Sequence, residues 1–232
     1  MASVDGYIQV EHWTAPYEQD VQGEIMQLYA QMGSTLQTDA WTFGRNTLRD
    51  IFPDRTDIFP IEEKDATKDA PVMVESHYQA PRHSERMFIS FDPESDIIYT
   101  SPQLRGSDIV VVLSMRTATP RYLSLLRGMG ISYLVKADTS HLTTILEELN
   151  AIFGIQAISL QGGGLLDGAM LSNGVIDEQS ILFYPGLNGK EGAVSIFDKV
   201  KAKAMGRTTL QLISAQTLAH GVVWLRYKVH VG

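Results

Sequence analysis

Residues 157–186, AISLQGGGLLDGAMLSNGVIDEQSILFYPG, decide the fold of this 232-residue chain. In this stretch an apolar strand runs into three consecutive glycines, a short amphipathic helix and a second apolar strand. Glycines at a strand end allow backbone conformations closed to other residues and bring bare N–H groups close to a ligand. A helix beginning at Gly164 or Leu165 directs its unpaired amides and positive dipole end at the same place. The pattern predicts either a phosphate cradle or a tight strand-to-helix turn without a ligand.

The glycine spacing and the other sequence motifs do not identify a familiar catalytic site. Gly162, Gly164 and Gly168 miss the dinucleotide-binding fingerprint, whose last glycine falls one residue earlier. The sequence has no G-x-S-x-G elbow, no Walker loop and no metalloprotease helix, and its six histidines lack metal-ligand spacing. Tyr133 and Lys136 are one residue too close for a Tyr-x-x-x-Lys pair. We therefore assign no catalytic residue and no metal ligand.

Composition narrows the class of protein. A chain of 232 residues that is 44% hydrophobic is long enough to bury a full core, and we predict one domain over residues 1–232. A net charge of −8 without basic runs argues against a nucleic-acid partner. The absence of cysteine excludes disulfides and thiolate sites. Without a leader or a membrane-length apolar run, the expectation is a soluble cytoplasmic protein with a small-molecule partner.

The second half of the chain alternates strands with helices. SDIVVVLS, SYLVKA and QAISLQ are predicted strands, and TPRYLSLLRGMG and SHLTTILEELNAIFG are predicted helices. The second of these helices has a start signal at Ser140 and a stop at Gly154. Continuous apolar strands separated by helices indicate a parallel sheet covered on both faces.

Other segments add antiparallel pairing and one irregular region. LQLISAQTL and GVVWLRYKVHV, joined by residues 219–221, are predicted to form an antiparallel hairpin that makes the sheet mixed. Earlier in the chain we predict a helix over residues 17–32, a strand in DAWTFG and a helix start in NTLRDIF. Residues 53–83, rich in prolines and charges, are predicted to be a long surface excursion, with a flap over a site as one interpretation.

Small and polar residues at the strand ends are candidate site residues, each with a simpler alternative. Ser3, Asp5 and Gly6 form a Ser-x-Asp-Gly motif that is also an ordinary turn. Residues 44–47 close one strand and open a helix, where Thr47 serves equally as a cap and Arg45 as a solvated charge. Ser114 with Arg116 offers a second phosphate contact. Asp177 and Glu178 are carboxylates of a type that usually caps or pairs with backbone.

Taken in order, these segments resemble the dihydrofolate reductase-like superfamily, and in particular the C-terminal reductase domain of the RibD type from riboflavin biosynthesis. The similarity spans nearly the whole chain. It is carried by Ser3-Val4-Asp5-Gly6, Asp39-Ala40 with Gly44-Arg45-Asn46-Thr47, Phe91-Asp92-Pro93, Gly130-Ile131-Ser132-Tyr133, Phe153-Gly154-Ile155, Gly162-Gly163-Gly164, Gly168-Ala169, Gly174-Val175-Ile176-Asp177-Glu178 and Pro185.

The resemblance implies a fold, a cofactor and a set of contacts. The fold is a three-layer α/β/α arrangement with a mostly parallel mixed sheet, NADPH across the strand ends, and hydride transfer to a pyrimidine- or pterin-like substrate. It also implies a homodimer, and the expected contact is the C-terminal hairpin ending VVWLRYKVHV, because a long apolar edge strand invites pairing. Asp5 and Gln161 would face the substrate. The implied cofactor contacts are Ala2, Gly44, Arg45, Thr47, Ser114, Gly162, Gly163, Gly164, Leu165 and Leu166.

Two departures from the family pattern leave the reaction open. The chain starts only two residues before Ser3, and Gln161 stands where enzymes of the riboflavin pathway commonly have Glu. Besides a reductase of a small heterocycle, the sequence allows a nucleotide-binding module without turnover. A dihydrofolate reductase would need a carboxylate on its first long helix, for which Glu18, Asp20 and Glu24 are the candidates.

Overall fold

A computed structural model describes residues 1–51, 56–58, 71–200 and 206–232 of the protein. The chain divides into two compact units, which are described separately. The central unit is Thr38–Gly162, and the terminal unit combines Met1–Gln37 with Gly163–Gly232. The chain therefore passes from one unit to the other inside the glycine run. Whether residues 1–232 behave as one domain stays a prediction.

The central unit is built on a mostly parallel sheet with helices. Its strands run in the order β10-β2-β5-β8-β9-β4, and β7 pairs with β8. The pairs from β10 to β9 are parallel, whereas β4 and β7 are antiparallel to their neighbours. The strands are β2 (Ala40–Phe43), β4 (Ser76–Tyr78), β5 (Met87–Asp92), β7 (Gln103–Leu104), β8 (Ser107–Ser114), β9 (Ser132–Lys136) and β10 (Ile158–Leu160), with β3 (Thr56–Ile58) and β6 (Ile97–Tyr99) forming a separate antiparallel pair.

Burial on both faces of the sheet accounts for the continuous apolar sequences of the parallel strands. Every residue of β8 is buried, as expected for a strand in a sheet covered on both faces. The helices of this unit are α2 (Arg45–Ile51), α3 (Pro120–Gly128) and α4 (Leu142–Phe153). Thr119 caps α3 by accepting the N–H of Tyr122 at 3.2 Å, with Pro120 in the first turn. Strand and helix side chains meet in a core that includes Phe88, Val111 and Leu126.

Helix α4 confirms the predicted stop and corrects the predicted start. Gly154 ends the helix with a φ of 70°, a left-handed conformation that glycine adopts without strain. The N-cap is His141, whose side chain makes no capping bond, so the start signal assigned to Ser140 was wrong by one residue. The N–H of Ser140 instead donates to the carboxylate of Asp138 at 2.8 Å.

In its described residues, the terminal unit holds a second sheet and two α-helices. Its strands are β1 (Ala2–Ser3), β11 (Glu178–Tyr184), β12 (Thr208–Thr217) and β13 (Val223–Val231), in the order β1-β11-β13-β12. β1 is parallel to β11, and the other pairs are antiparallel. The helices are α1 (Gln22–Thr35) and α5 (Gly164–Ser172). A core around Ile25, Tyr184 and Trp224 joins α1 to this sheet. The α/β class and the antiparallel C-terminal hairpin are confirmed. The predicted place of the hairpin, at the edge of the mostly parallel sheet, was wrong, because the hairpin pairs with β11 in this second sheet.

The hairpin and the first helix each differ in detail from the prediction. β13 lies between β11 and β12, so the open edge of the sheet is β12 and not the VVWLRYKVHV strand. The hairpin turns through Ala219–Gly221, where His220 has a φ of 58°. Helix α1 begins at Gln22, five residues after the predicted start at Tyr17.

The predicted excursion over residues 53–83 is only partly described. Residues 52–55 and 59–70 lie outside the described residues, and the flap interpretation falls largely there. Within the described part, β3 and β4 are strands, and β4 pairs with β9, so this region is not wholly irregular. Among the residues that the structure describes, no helix is long and apolar enough to cross a membrane.

Candidate functional site

The glycine run forms a sharp turn between β10 and α5. Gly162 has a φ of 116°, and Gly163 has a φ of 91° and a ψ of 96°. Such conformations strain any residue with a Cβ. Gly163 is the N-cap of α5, which begins at Gly164 as predicted.

The first amides of α5 are unpaired in the described structure. The carbonyl of Gly163 accepts the N–H of Leu166 at 2.8 Å and that of Asp167 at 3.1 Å. Within the described parts of the chain, the N–H groups of Gly163, Gly164 and Leu165 have no acceptor. A cluster of unpaired N–H groups at the positive end of a helix dipole stabilises a phosphate. An added Cβ at Gly162 would meet nothing within 4 Å.

Two glycines of this region have a packing role that the sequence did not show. An added Cβ at Gly164 would overlap the carbonyl oxygen of Ser195, and one at Gly168 would overlap that of Asp198. The N–H of Asp198 also donates to the carbonyl of Gly164 at 2.9 Å. Gly164 and Gly168 are therefore small because residues 195–198 lie directly on α5.

Asp167, in the first turn of α5, is a buried acid that sequence reasoning missed. Its relative exposure is 7%, and Oδ1 has no hydrogen-bond partner among the described residues. Burial raises the pKa of Asp167 to about 7, although the nearby ammonium group of Met1 acts in the opposite direction. A carboxyl group in an otherwise apolar, glycine-rich helix start was the available signal.

In the terminal unit, Asp5 is engaged with a loop. The Ser3–Gly6 turn closes through a bond from the N–H of Gly6 to the carbonyl of Ser3 at 2.9 Å, with a φ of 87° at Gly6. The exposed carboxylate of Asp5 accepts the N–H groups of Asn188 at 3.0 Å and Gly189 at 2.9 Å. Hydrogen bonding, first from Ser3 and then from this loop, lowers the pKa of Asp5. The turn reading is thus observed, and a substrate contact by Asp5 stays a prediction.

Ala2 and Ser114, two predicted cofactor contacts, are buried strand residues. Ala2 lies in β1 with its side chain fully buried, which leaves only its backbone for a ligand. Ser114 ends β8, and its Oγ accepts the N–H of Arg116 at 3.2 Å. The side chain of Arg116 is exposed.

At the carboxyl end of β2, Gly44 and Arg45 are held by neighbours within the central unit. The N–H of Gly44 donates to the carbonyl of Gly162 at 3.0 Å, which joins this strand end to the glycine run. The guanidinium of Arg45 pairs with Asp96, with Nε 3.0 Å from Oδ1. Thr47 is the third residue of α2, so it does not cap the helix.

A buried polar network adjoins Arg45 at the end of β5. Asp92 is fully buried and accepts the N–H groups of Asp96 at 3.1 Å and Ile97 at 3.2 Å. The hydroxyl of Tyr122 lies 3.1 Å from Oδ2 of Asp92. Burial is the main cause of a raised pKa at Asp92, and it raises the pKa of Tyr122 as well.

Gln161 lines an open cavity of about 540 Å³ within the central unit. Its Nε2 lies 3.4 Å from Oγ of Ser159, a weak contact that leaves the amide available to a ligand. Trp41, which lines the same cavity, is fixed by a 2.8 Å bond from Nε1 to Oγ of Ser107. The remaining lining residues are mostly polar or charged: His83, Ser84, Glu85, Arg86, Arg105 and Gly106.

Asp177 and Glu178 have structural partners in the terminal unit. The carboxylate of Glu178 binds Arg226, with 2.6 Å between Oε1 and Nε. The carbonyl of Asp177 accepts the N–H of Val229 at 2.9 Å. No group of three or more histidine or acidic side chains in the described residues is placed to hold a metal ion.

Comparison with models of known protein families identifies the family of this chain. The model of the RibD C-terminal domain family matches residues 1–224. The chain belongs to the RibD C-terminal domain family. The match spans the strand ends, the glycine turn and most of the C-terminal hairpin, as the sequence resemblance predicted.

Solved structures share the fold of this RibD-type chain at low sequence identity. A pyrimidine reductase-like protein from Corynebacterium diphtheriae is 18% identical, with a TM-score of 0.61, and the alignment covers 100% of this chain and 90% of that one. A deaminase/5-amino-6-(5-phosphoribosylamino)uracil reductase from Thermotoga maritima is 11% identical, with a TM-score of 0.55, over 98% of this chain and 54% of that one.

RibD from Acinetobacter baumannii gives a similar result. It is 15% identical with a TM-score of 0.57, and the alignment covers 99% of this chain and 56% of that one. The chain thus spans about half the length of the Thermotoga and Acinetobacter proteins. No curated protein matches the chain in sequence.

The glycine turn fits the phosphates of the NADPH that the family implies. Its unpaired N–H groups are the donors that a phosphate requires. Arg45, the predicted partner of the 2′-phosphate, has its guanidinium already bound to the carboxylate of Asp96.

Proposed function

We propose that this protein is a cytoplasmic, NADPH-dependent reductase that transfers hydride to a small pyrimidine- or pterin-like heterocycle. The observation that carries the proposal is the turn at Gly162 and Gly163, which leads into a helix whose first amides are unpaired. Membership of the RibD C-terminal family supports the same activity.

The residues of the turn would bind and orient the cofactor. The N–H groups of Gly163, Gly164 and Leu165 would donate to its phosphate oxygens, and the dipole of α5 would stabilise their charge. Bound there, the cofactor supplies the hydride, and the protein supplies position and electrostatics. Contacts from Ala2, Gly44, Arg45, Thr47, Ser114 and Leu166 remain part of the proposal, each to be tested singly.

Gln161 and its cavity bear on the substrate. An amide both donates and accepts hydrogen bonds, whereas the Glu that is common in riboflavin-pathway enzymes only accepts when ionised. A volume of about 540 Å³ falls in the usual range for small-molecule sites. We therefore propose a heterocycle whose polar groups match an amide. The riboflavin-pathway pyrimidine itself would then be a poor substrate.

The described residues offer little support for a genuine dihydrofolate reductase. Helix α1 begins at Gln22, so Glu18 and Asp20 precede it and Glu24 is its one acid. Glu18 and Glu24 are more than half exposed and both bind His220, at 2.7 and 2.9 Å. Carboxylates tied to a surface histidine are poorly placed to protonate a buried pterin.

A ligand panel followed by a turnover assay tests the proposal. Thermal-shift measurements with NADPH, NADH, FMN and folates should show stabilisation by NADPH above all, because a ligand that binds only the folded state raises its stability. NADPH absorbance would then be followed with pyrimidine, pterin and flavin substrates. Binding without oxidation of NADPH by any of them would favour a nucleotide-binding module. If no nucleotide changed the melting temperature, both the reductase and the nucleotide-binding module would be contradicted.

A further inference from the structure

Nothing in the described residues explains why the carboxyl group of Asp167 is buried. It lies one turn into α5, and its own N–H donates to the carbonyl of Gly163. Its side chain is more than nine-tenths buried, and Oδ1 has no partner among the described residues. Burying an unpaired carboxylate is costly, and such a group reduces the cost by taking up a proton.

Among the residues that the structure describes, no charged group neutralises Asp167 by a direct bond. The ammonium group of Met1 is the nearby cation, and burial lowers the pKa of that amine to about 6, so the amine is largely neutral at pH 7. No ion pair within 4 Å joins it to Asp167 among the described residues. Residues 195–198, which lie on α5, end in Asp198, whose carboxylate accepts the N–H of Lys199 at 3.1 Å.

The free amides of Gly163, Gly164 and Leu165 lie within one helical turn of this acid. A phosphate held by these amides would repel an ionised Asp167 across a short, poorly solvated distance. A neutral Asp167 would leave the positive helix end unopposed.

We infer that the glycine turn holds a phosphate more tightly when Asp167 is protonated, so that nucleotide binding is accompanied by proton uptake. The inference rests on the proposed placement of the NADPH phosphates at this turn. The free pKa of about 7 makes the effect measurable near neutral pH.

The sign of the pH dependence follows from linkage. A bound anion raises the pKa of Asp167 above its value in the free protein, so affinity is complete at low pH and falls as the pH rises through these two values. If the anion raises the pKa by a single unit, the Kd for NADPH should rise about fivefold to tenfold between about pH 6.5 and about pH 8.5.

Isothermal titration of NADPH into wild-type protein, Asp167→Asn and the control Asp177→Asn tests the inference over this pH range. Asp177 carries the same charge but is exposed beyond the other end of α5. Titration in buffers of different ionisation enthalpy measures proton uptake directly. Because the 2′-phosphate of the ligand titrates in all three proteins alike, only differences between them are interpreted.

We expect Asp167→Asn to bind NADPH more tightly than wild type at about pH 8.5, by roughly fivefold or more, and to lose the extra proton uptake. Asp177→Asn should follow the wild type. Tighter binding is an outcome that a damaged fold does not produce. Parallel pH profiles for wild type and Asp167→Asn would overturn the inference alone, while the proposed function would stand. Absence of NADPH binding by all three proteins at every pH would overturn both.

Discussion

Arg45 and Asp96 are 51 positions apart in sequence and form an ion pair at the carboxyl edge of the central sheet, with Nε of Arg45 3.0 Å from Oδ1 of Asp96. Nε also lies 3.9 Å from the buried carboxylate of Asp92. A 2′-phosphate bound by Arg45 would therefore compete with Asp96 for the same guanidinium.

Replacing Arg45 tests its role in cofactor selection. Arg45→Ala should lower the affinity for NADPH on the order of tenfold to a hundredfold and the affinity for NADH by less. The reason is that a charged hydrogen bond to the 2′-phosphate, which NADH lacks, is worth roughly 1.5 to 3 kcal/mol. Asp96→Asn, which weakens the competing pair, should leave NADPH binding equal or stronger. Fluorescence titration with both nucleotides measures these effects. Equal losses for NADPH and NADH would assign Arg45 to a structural role with Asp96.

The network around Asp92 should contribute to stability through Tyr122. Tyr122→Phe removes the hydroxyl next to a fully buried carboxylate and should lower the free energy of unfolding by about 1 to 3 kcal/mol. Urea denaturation gives the value. Tyr17→Phe is the matched control, since Tyr17 is fully exposed and the same change there should have little effect. If Tyr122→Phe changed the free energy of unfolding no more than Tyr17→Phe does, the hydroxyl of Tyr122 would contribute nothing measurable to stability.

We propose that the homodimer expected of the family forms at the open edge of the second sheet. Strand β12 carries the exposed side chains Leu210, Leu212 and Ile213, and an unpaired apolar edge invites pairing with a second copy. Leu212→Lys should dissociate the dimer at micromolar concentration, as measured by light scattering. Leu187→Lys, at a similarly exposed leucine, is the control. A monomer mass of 25.7 kDa for the wild type would refute the dimer itself.

Gln161 should decide whether the riboflavin-pathway pyrimidine is a substrate. The wild type should turn over 5-amino-6-(5-phosphoribosylamino)uracil poorly, and Gln161→Glu should improve that activity, because a mismatched buried polar group costs about 1 to 3 kcal/mol. Steady-state kinetics with NADPH gives the comparison, and Ser159→Ala controls for the contact that Gln161 makes within the protein. Efficient turnover by the wild type would show that the amide is tolerated.

Local patterns predicted the elements whose signals lie close together in sequence. The apolar run of β8, the left-handed stop at Gly154 and the helix start at Gly164 were all readable, because strand burial and glycine conformation depend on a few adjacent residues. The predicted start of α1 was wrong, since the stretch from Tyr17 to Val21 has helical spacing but lies before the helix, whose N-cap Val21 makes no side-chain capping bond.

Long-range contacts could not be read from the sequence. Nothing near Gly168 indicates that the backbone of Asp198 would lie against it, and Arg45 gives no sign of its pairing with Asp96. The glycine turn itself was predicted, but its backbone angles were not, and they mean that replacing Gly163 with Val would not leave the fold unchanged. A φ of 91° with a ψ of 96° strains any β-branched residue there.

Leu165 offers a cleaner test of the phosphate cradle. Its side chain is about half exposed, and its N–H has no acceptor among the described residues. Proline is tolerated in the first turn of a helix, so Leu165→Pro removes this one donor with little effect on the fold, whereas Leu165→Ala keeps it.

Titration of NADPH into the wild type, Leu165→Ala and Leu165→Pro, with circular dichroism to check the fold, is the most direct measurement. We predict that Leu165→Ala binds NADPH like the wild type. Leu165→Pro should bind on the order of tenfold to a hundredfold more weakly, because it loses one charge-assisted hydrogen bond to a phosphate. Equal NADPH affinity in all three folded proteins would contradict the placement of the cofactor's phosphates at the glycine turn.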